Sequence, residues 1–273
     1  MGWRAELHLR CEQRAGPAGP RTVLARKHQL GPMTLQRAFH PEGAPCHLYP
    51  LHPPGGVVGG DALDIQLDVV AGAHALATTP GAAKFYRSAG ESALQTQVLS
   101  VARGAVLEWL PQPAILFPGA RVRAHTEVLL RGDARLLGWE VTALGRPVIN
   151  ERFSQGTLDA TLALSRDGRP LLQDRLRIAA AADLERAGGL RGRPVTGTFL
   201  AAAADAEALE MTHAVLAGAP GILTGVTLLD DLLVVRALAD TTEPVQELFC
   251  ALWAALRPRL LGLAPQPPRI WAT

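Results

Sequence analysis

Through most of the first 180 residues, apolar and polar side chains alternate along the chain. From Trp3 to Cys11, the residues Trp3, Ala5, Leu7, Leu9 and Cys11 share one face, and Arg4, Glu6, His8 and Arg10 share the other. That period of two predicts a half-buried strand. The same reading holds for Leu63, Ile65, Leu67 and Val69 against Asp64, Gln66 and Asp68. It holds again for Val122 to Leu130 and for Leu172, Leu176 and Ile178. Gly31-Pro32, Pro80-Gly81, Pro118-Gly119 and Asp167-Gly168 punctuate these runs, so the segment reads as many short strands with regular turns. A weak repeat runs through it. Leu67-x-Val69-x-x-Gly72-Ala73 matches Leu99-x-Val101-x-x-Gly104-Ala105, and Gly132-Asp133-Ala134 follows in kind. Stacked units of this type predict a coiled or layered β body, with a sandwich left open.

The last 80 residues change character. Thr196–Ala202 reads as a strand, Asp205 as the cap of a helix over Ala206–Leu216, and Ile222–Leu228 with Leu232–Leu238 as a hairpin turning at Asp230-Asp231. Val245, Leu248, Phe249, Leu252 and Leu256 recur at helical spacing, predicting a second helix over Glu243–Leu256 that stops before Pro258. The expected organisation is a mainly β body over 1–180 and a small α+β lobe with two helices over 194–273 packed on it, with one continuous domain as the alternative. The Ala-, Gly- and Arg-rich stretch Ala179–Arg193 is the expected linker, and Pro265–Pro268 is an extended tail.

Composition narrows the function classes. Hydrophobic residues are 48% and charged residues 19%, against about 25% charged in ordinary globular chains. The net charge of +2, with basic residues dispersed, argues against a nucleic-acid surface. Cys11, Cys46 and Cys250 have no short spacing, which argues against a disulfide framework or a Cys-x-x-Cys metal knuckle. The polar, charged first residues lack the apolar core of a signal peptide, and no uninterrupted apolar run is long enough to span a membrane. A cytoplasmic protein is the expectation.

The glycine-rich loop His52-Pro53-Pro54-Gly55-Gly56-Val57-Val58-Gly59-Gly60-Asp61 does not suit phosphate. A phosphate loop ends in Gly-Lys-Ser/Thr and opens a helix, whereas a predicted strand follows Asp61. Gly55, Gly56, Gly59 and Gly60 are better read as a tight backbone crossing. His28, His40, His47 and His52, with Cys46 beside them, bring good ligands for borderline metals, but their spacing matches no known finger. There is no Gly-x-Ser-x-Gly elbow and no His-Glu-x-x-His helix. Three acids interrupt apolar or aromatic surroundings: Asp61, Glu140 and Asp174. A buried carboxylate must be paired, protonated or bound to a cation, and the many arginines offer the plain alternative.

Several stretches together carry a resemblance. They are Gly31–Gly43 running into the glycine loop, Thr79–Ser88 including Lys84, Leu110–Ala120, Gly138-Trp139-Glu140, Leu144-Gly145-Arg146-Pro147, Leu256-Arg257-Pro258 and Pro268-Arg269-Ile270-Trp271. In order and over nearly the whole chain, they resemble the urease accessory protein family UreD, called UreH in some lineages. The resemblance implies a β-helix-like body with two helices and a non-catalytic role in urease maturation. It implies partnership with UreF, with UreG through UreF, and with urease apoprotein. No cofactor would be held stably, but nickel would be in transit along an internal passage. Asp61, Glu140, Asp174 and Lys84 fall within or beside the matching stretches, the acids as candidates for lining that passage. Positions 140 and 174 look like places where either acid occurs, which suits a demand for negative charge more than a fixed ligand. Helix residues Phe249 and Trp253 are the expected partner-binding surface. Two other functions compete with this: a stand-alone metal-dependent enzyme using the His-rich segment 28–52, and a purely structural adaptor without metal contact.

Overall fold

The computed structural model describes residues 2–16 and 19–272, so Met1 and Thr273, at the outer ends of the expected segments, lie outside it. β1 (Arg4–Arg14) and β2 (Arg21–Leu30) form an antiparallel hairpin. β3 (Thr34–Leu35), β4 (Cys46–Leu48) and β5 (Pro50–Leu51) follow. The chain then winds in coils. β6 (Ala62–Val69), β7 (His74–Ala77) and β8 (Ala83–Phe85) make one. β9 (Ala93–Val101), β10 (Val106–Trp109) and β11 (Ala114–Leu116) lie directly beside them in parallel register. β12 (Arg121–Leu130) and β13 (Arg135–Arg146) form the next turn. After β14 (Glu151–Arg152), β15 (Thr157–Arg166) stacks once more, and β16 (Arg169–Ile178) folds back antiparallel. β17 (Val195–Ala202), α1 (Ala206–Ala217), β18 (Leu223–Leu229), β19 (Leu232–Ala239) and α2 (Thr242–Leu261) complete the chain.

The result is mainly β and built like a β-helix. A seven-stranded sheet runs β16-β15-β12-β9-β6-β1-β2, and a second sheet runs β18-β19-β17-β13-β10-β7-β4 with β8, β11 and β14 attached. The sequence repeat is the corner of the coil. Leu67 pairs with Leu99, and Val69 with Val101. Gly72, Gly104 and Gly132 follow in turn, each with positive φ (75°, 68° and 53°), a conformation open to glycine at no steric cost. Ala73, Ala105 and Ala134 behind them are buried, because the coils stack too closely there for a larger side chain. Trp3, expected on the buried face, is 62% exposed because it precedes β1 and lies outside the sheet.

Two apolar cores result. One fills the space between the sheets, with Leu7, Leu67, Leu99 and Leu107 fully buried. The other lies on the outer face of the second sheet, under α2, where Val245, Phe249, Leu252, Trp253 and Leu256 pack on Trp139, Phe199 and Val235. Burial contributes about 1.5–3 kcal/mol for each large apolar side chain of that face. Gly197 on β17 permits the close approach, since a Cβ there would lie 2.7 Å from both Phe249 and Val245. Asp205 caps α1 as expected, accepting from the Ala208 N–H at 2.9 Å. β17 pairs with β13, so the sheet runs unbroken from the coils into the C-terminal strands. The stretch between β16 and β17 holds a 3-10 turn at Ala181–Glu185 and buries Leu184 and Leu190.

α2 departs from the expected end. It passes through Pro258 and closes at Gly262, a left-handed cap whose N–H bonds to the Pro258 carbonyl. Proline inside a helix costs about 3 kcal/mol. The extra turn carries Leu260 into the core and keeps Arg257 pointing inward, and both are buried.

Candidate functional site

Between the sheets lies a cavity of about 580 Å³. Its walls are inward-facing strand positions: Leu63 and Ile65 of β6, Gln95 and Gln97 of β9, Val122, Ala124 and Thr126 of β12, and Leu158 of β15. The second sheet contributes Trp109, Leu116 and Glu140. The lining is largely apolar with a few polar groups, the usual make-up of a ligand site. Gln97 Nε2 donates to Thr126 Oγ1 at 3.1 Å, and the Thr126 hydroxyl donates to Glu140 Oε1 at 2.5 Å. Burial is the main influence on Glu140 and pushes its carboxyl up; the Thr126 bond opposes this, and the charge of Asp174 adds to it. The Trp109 Nε1–H is buried and has no protein acceptor among the described residues.

The polar row continues across the second sheet. Glu140 stands opposite Thr198 on β17, and Thr198 opposite Arg236 on β19. The Arg236 guanidinium donates to Thr198 Oγ1 at 3.3 Å and pairs with Asp174 of β16. A line of polar side chains therefore leads from the cavity wall to a partly exposed ion pair at the far edge of the sheets. Lys84 and His52 also line the cavity. Lys84 is solvent-exposed. Burial pushes His52 below its ordinary value, partly offset by Asp61, so its imidazole is neutral at neutral pH.

The model of the family described as UreD urease accessory protein matches residues 4–272. A urease accessory protein UreD from Alcanivorax borkumensis is 46% identical over 273 residues, covering 100% of this chain and 93% of the relative. Counterparts from Pseudomonas entomophila and Klebsiella aerogenes are 47% and 46% identical over 272 residues, covering 95% and 97% of their own lengths. The chain belongs to the UreD family. Its relatives are named as accessory proteins of urease, which makes them accessory factors to an enzyme and places the chain in urease maturation.

The stretches that carry the UreD resemblance meet in space. Glu42 from the first stretch and Arg257 from Leu256-Arg257-Pro258 share two hydrogen bonds, one of them 2.9 Å long. Arg257 also reaches Glu108 through Nε at 2.9 Å and Nη2 at 3.0 Å. His47 bonds Glu42 at 2.8 Å, His74 bonds Glu108 at 2.7 Å, and the Trp253 indole donates to Glu108 at 2.6 Å. Burial alone would raise both carboxyls. Hydrogen bonds from His47 and Arg257 outweigh it and bring Glu42 down to about 2, and those from His74 and Arg257 lower Glu108. Trp271, also of a family stretch, packs on Trp139 and Trp253 and donates to Thr78 Oγ1 at 2.9 Å.

Several expectations are corrected here. Asp61 does not line the cavity; its carboxylate accepts the Trp3 and Val58 N–H groups at 2.7 and 2.9 Å and closes the glycine loop onto the start of β1. Phe249 and Trp253 are buried within the chain and present no surface, because α2 spends its apolar face on the second sheet. The His-rich segment does not converge. His28 faces Glu6, His40 bonds the Thr22 carbonyl, His47 serves Glu42 and His52 lines the cavity. Gly56 and Gly59 are the close crossing that was expected, since a Cβ would lie 2.0 Å from Tyr86 and 2.1 Å from Ser88. Gly55 and Gly60 have positive φ. Sequence reasoning passed over Gln95 and Gln97, although both occupy inward positions between Ala93 and Leu99, where a polar residue is out of pattern.

Proposed function

We propose that this UreD chain acts as a scaffold in an assembly with UreF-like and UreG-like partners on urease apoprotein, and that nickel passes through it along the Glu140 row. The observation that carries this reading is Glu140, a half-buried acid in the cavity wall that the Thr126 hydroxyl bonds. An acid so placed is poorly stabilised until a cation arrives. Oxygen ligands hold Ni²⁺ more loosely than imidazole or thiolate would, which suits transfer over capture. The unpaired Trp109 N–H suits a water oxygen, so a hydrated cation satisfies both groups. Asp174, neutralised by Arg236, would mark the outer end of the row. Asp61 has no part in it.

For the scaffold role, the support is the family's accessory naming and the exposed Val148 and Ile149, which follow directly on Gly145-Arg146-Pro147. Among the described residues no helix is long and apolar enough to cross a membrane; a cytoplasmic assembly is part of the proposal. The test co-produces Glu140→Gln with the urease operon. The accessory complex should co-purify as in wild type while urease nickel content falls severalfold. Full nickel loading with an intact complex would remove Glu140 from the passage, and a lost complex would make its role structural.

A further inference from the structure

A second group of ligating side chains lies on the outer face of the seven-stranded sheet, away from the cavity. His8 of β1 and His28 of β2 are directly opposite each other in the hairpin, with ring centroids 5.1 Å apart. Glu6, two residues before His8, projects from the same face. Its Oε2 lies 3.0 Å from His28 Nε2, and its Oε1 holds the Arg4 Nε at 2.6 Å. One donor atom from each of Glu6, His8 and His28 falls within 4.8 Å of the others. Among the described residues His8 Nε2 is buried without a hydrogen-bond partner, and Asp64 Oδ1 on β6 is 3.6 Å from it, beyond hydrogen-bonding distance.

We infer that Glu6, His8 and His28 form a binding site for a divalent transition-metal ion of the zinc, nickel or copper type, with Asp64 as the fourth donor. Two imidazoles with carboxylate oxygens select these borderline ions over magnesium and calcium, which take all-oxygen sites. Zinc–nitrogen bonds are about 2.0–2.1 Å, so the donors need to close by rotation of their side chains on a fixed backbone, with no strand movement. The unpaired His8 nitrogen gains a partner in the process. β2 is the outermost strand of its sheet. An ion bridging β1, β2 and β6 would clip that edge strand to its neighbours, at a point where natural sheets need protection from stray pairing. The inference does not depend on the nickel-passage reading, because none of its residues lines the cavity.

The test titrates the full chain with Zn²⁺, then Ni²⁺, against a chromophoric chelator, alongside a thermal melt of each sample. Wild type should take up one ion and melt at a higher temperature when it is bound. His8→Ala and His28→Ala should each weaken binding by more than about tenfold, since even outer-shell partners are worth that much. His125→Ala, on the same outer face but bonded to Thr161, should bind as wild type does. Circular dichroism of each variant separates lost binding from lost fold. Absence of stoichiometric uptake by wild type, or unchanged affinity in the folded His8→Ala/His28→Ala double variant, overturns the site.

Discussion

Glu108 and Glu140 lie on neighbouring strands of one sheet, on opposite faces. Glu108 looks outward under α2, where Arg257, His74 and Trp253 surround it with four hydrogen bonds. Glu140 looks inward and has one hydroxyl and a cavity. Both carboxyls lose water on folding. On one face donors more than replace it and hold the acid ionised; on the other, burial dominates and the acid resists ionisation. The two surroundings separate a structural charge from one available for another task. A fully paired network gains specificity by binding remote segments, here residues 42, 108 and 257. An under-paired acid lowers stability unless something else fills its site.

The comparison breaks most readily at Arg257. Arg257→Leu leaves two buried carboxylates without their shared cation and should cost about 3–5 kcal/mol in urea unfolding. A loss below about 1 kcal/mol would mean that α2 is held by its apolar face alone. Acid titration comes next. Glu42 falls from 4.5 to about 2 on folding, so its contribution is full above the ordinary carboxyl range and is lost as pH falls through about 2. That contribution is on the order of 3 kcal/mol, and its loss between those values should appear in wild type and shrink in Arg257→Leu, where only the His47 bond still holds Glu42 down.

Glu140 should show the opposite sign. A raised carboxyl is most compatible with the fold when protonated, so its penalty grows as pH rises through the folded value. Glu140→Gln keeps an acceptor for Thr126 and should stabilise the free chain by about 0.5–2 kcal/mol at neutral pH, the usual gain when a functional compromise is removed. A destabilised Glu140→Gln chain would place Glu140 with Glu108 as a structural charge. The smallest effect belongs to Asp174→Asn. Its pair with Arg236 is partly exposed, and the change should stay below about 1 kcal/mol in the same unfolding assay.

Much of this architecture was legible locally. Period-two alternation located β1, β6 and β12, and the glycine-alanine repeat marked coil corners that stack in register. Asp205 announced α1 because a side-chain oxygen two or three residues before free N–H groups is a local solution to a local need. The family stretches named the right residues without revealing their work: Glu42 and Arg257 were motif letters 215 positions apart. Local rules also misjudged α2, which runs through Pro258 because Arg257 and Leu260 have buried partners beyond it.

Alternation says which residues share a face, and so the sequence by itself determined many of the strands and turns and put Thr126 on the face of Val122 and Val128. It could not say what each face meets. Phe249 and Trp253 form an apolar stripe equally suited to a partner or to the chain's own sheet, and only the packing of α2 on β13, β17 and β19 chose the latter. The three acids differ for the same reason. Asp61, Glu140 and Asp174 look alike in sequence, yet one meets backbone amides, one a cavity and one an arginine. A carboxylate's energy is set by the dipoles and charges within a few ångströms of it, and the coil draws those from residues dozens of positions away.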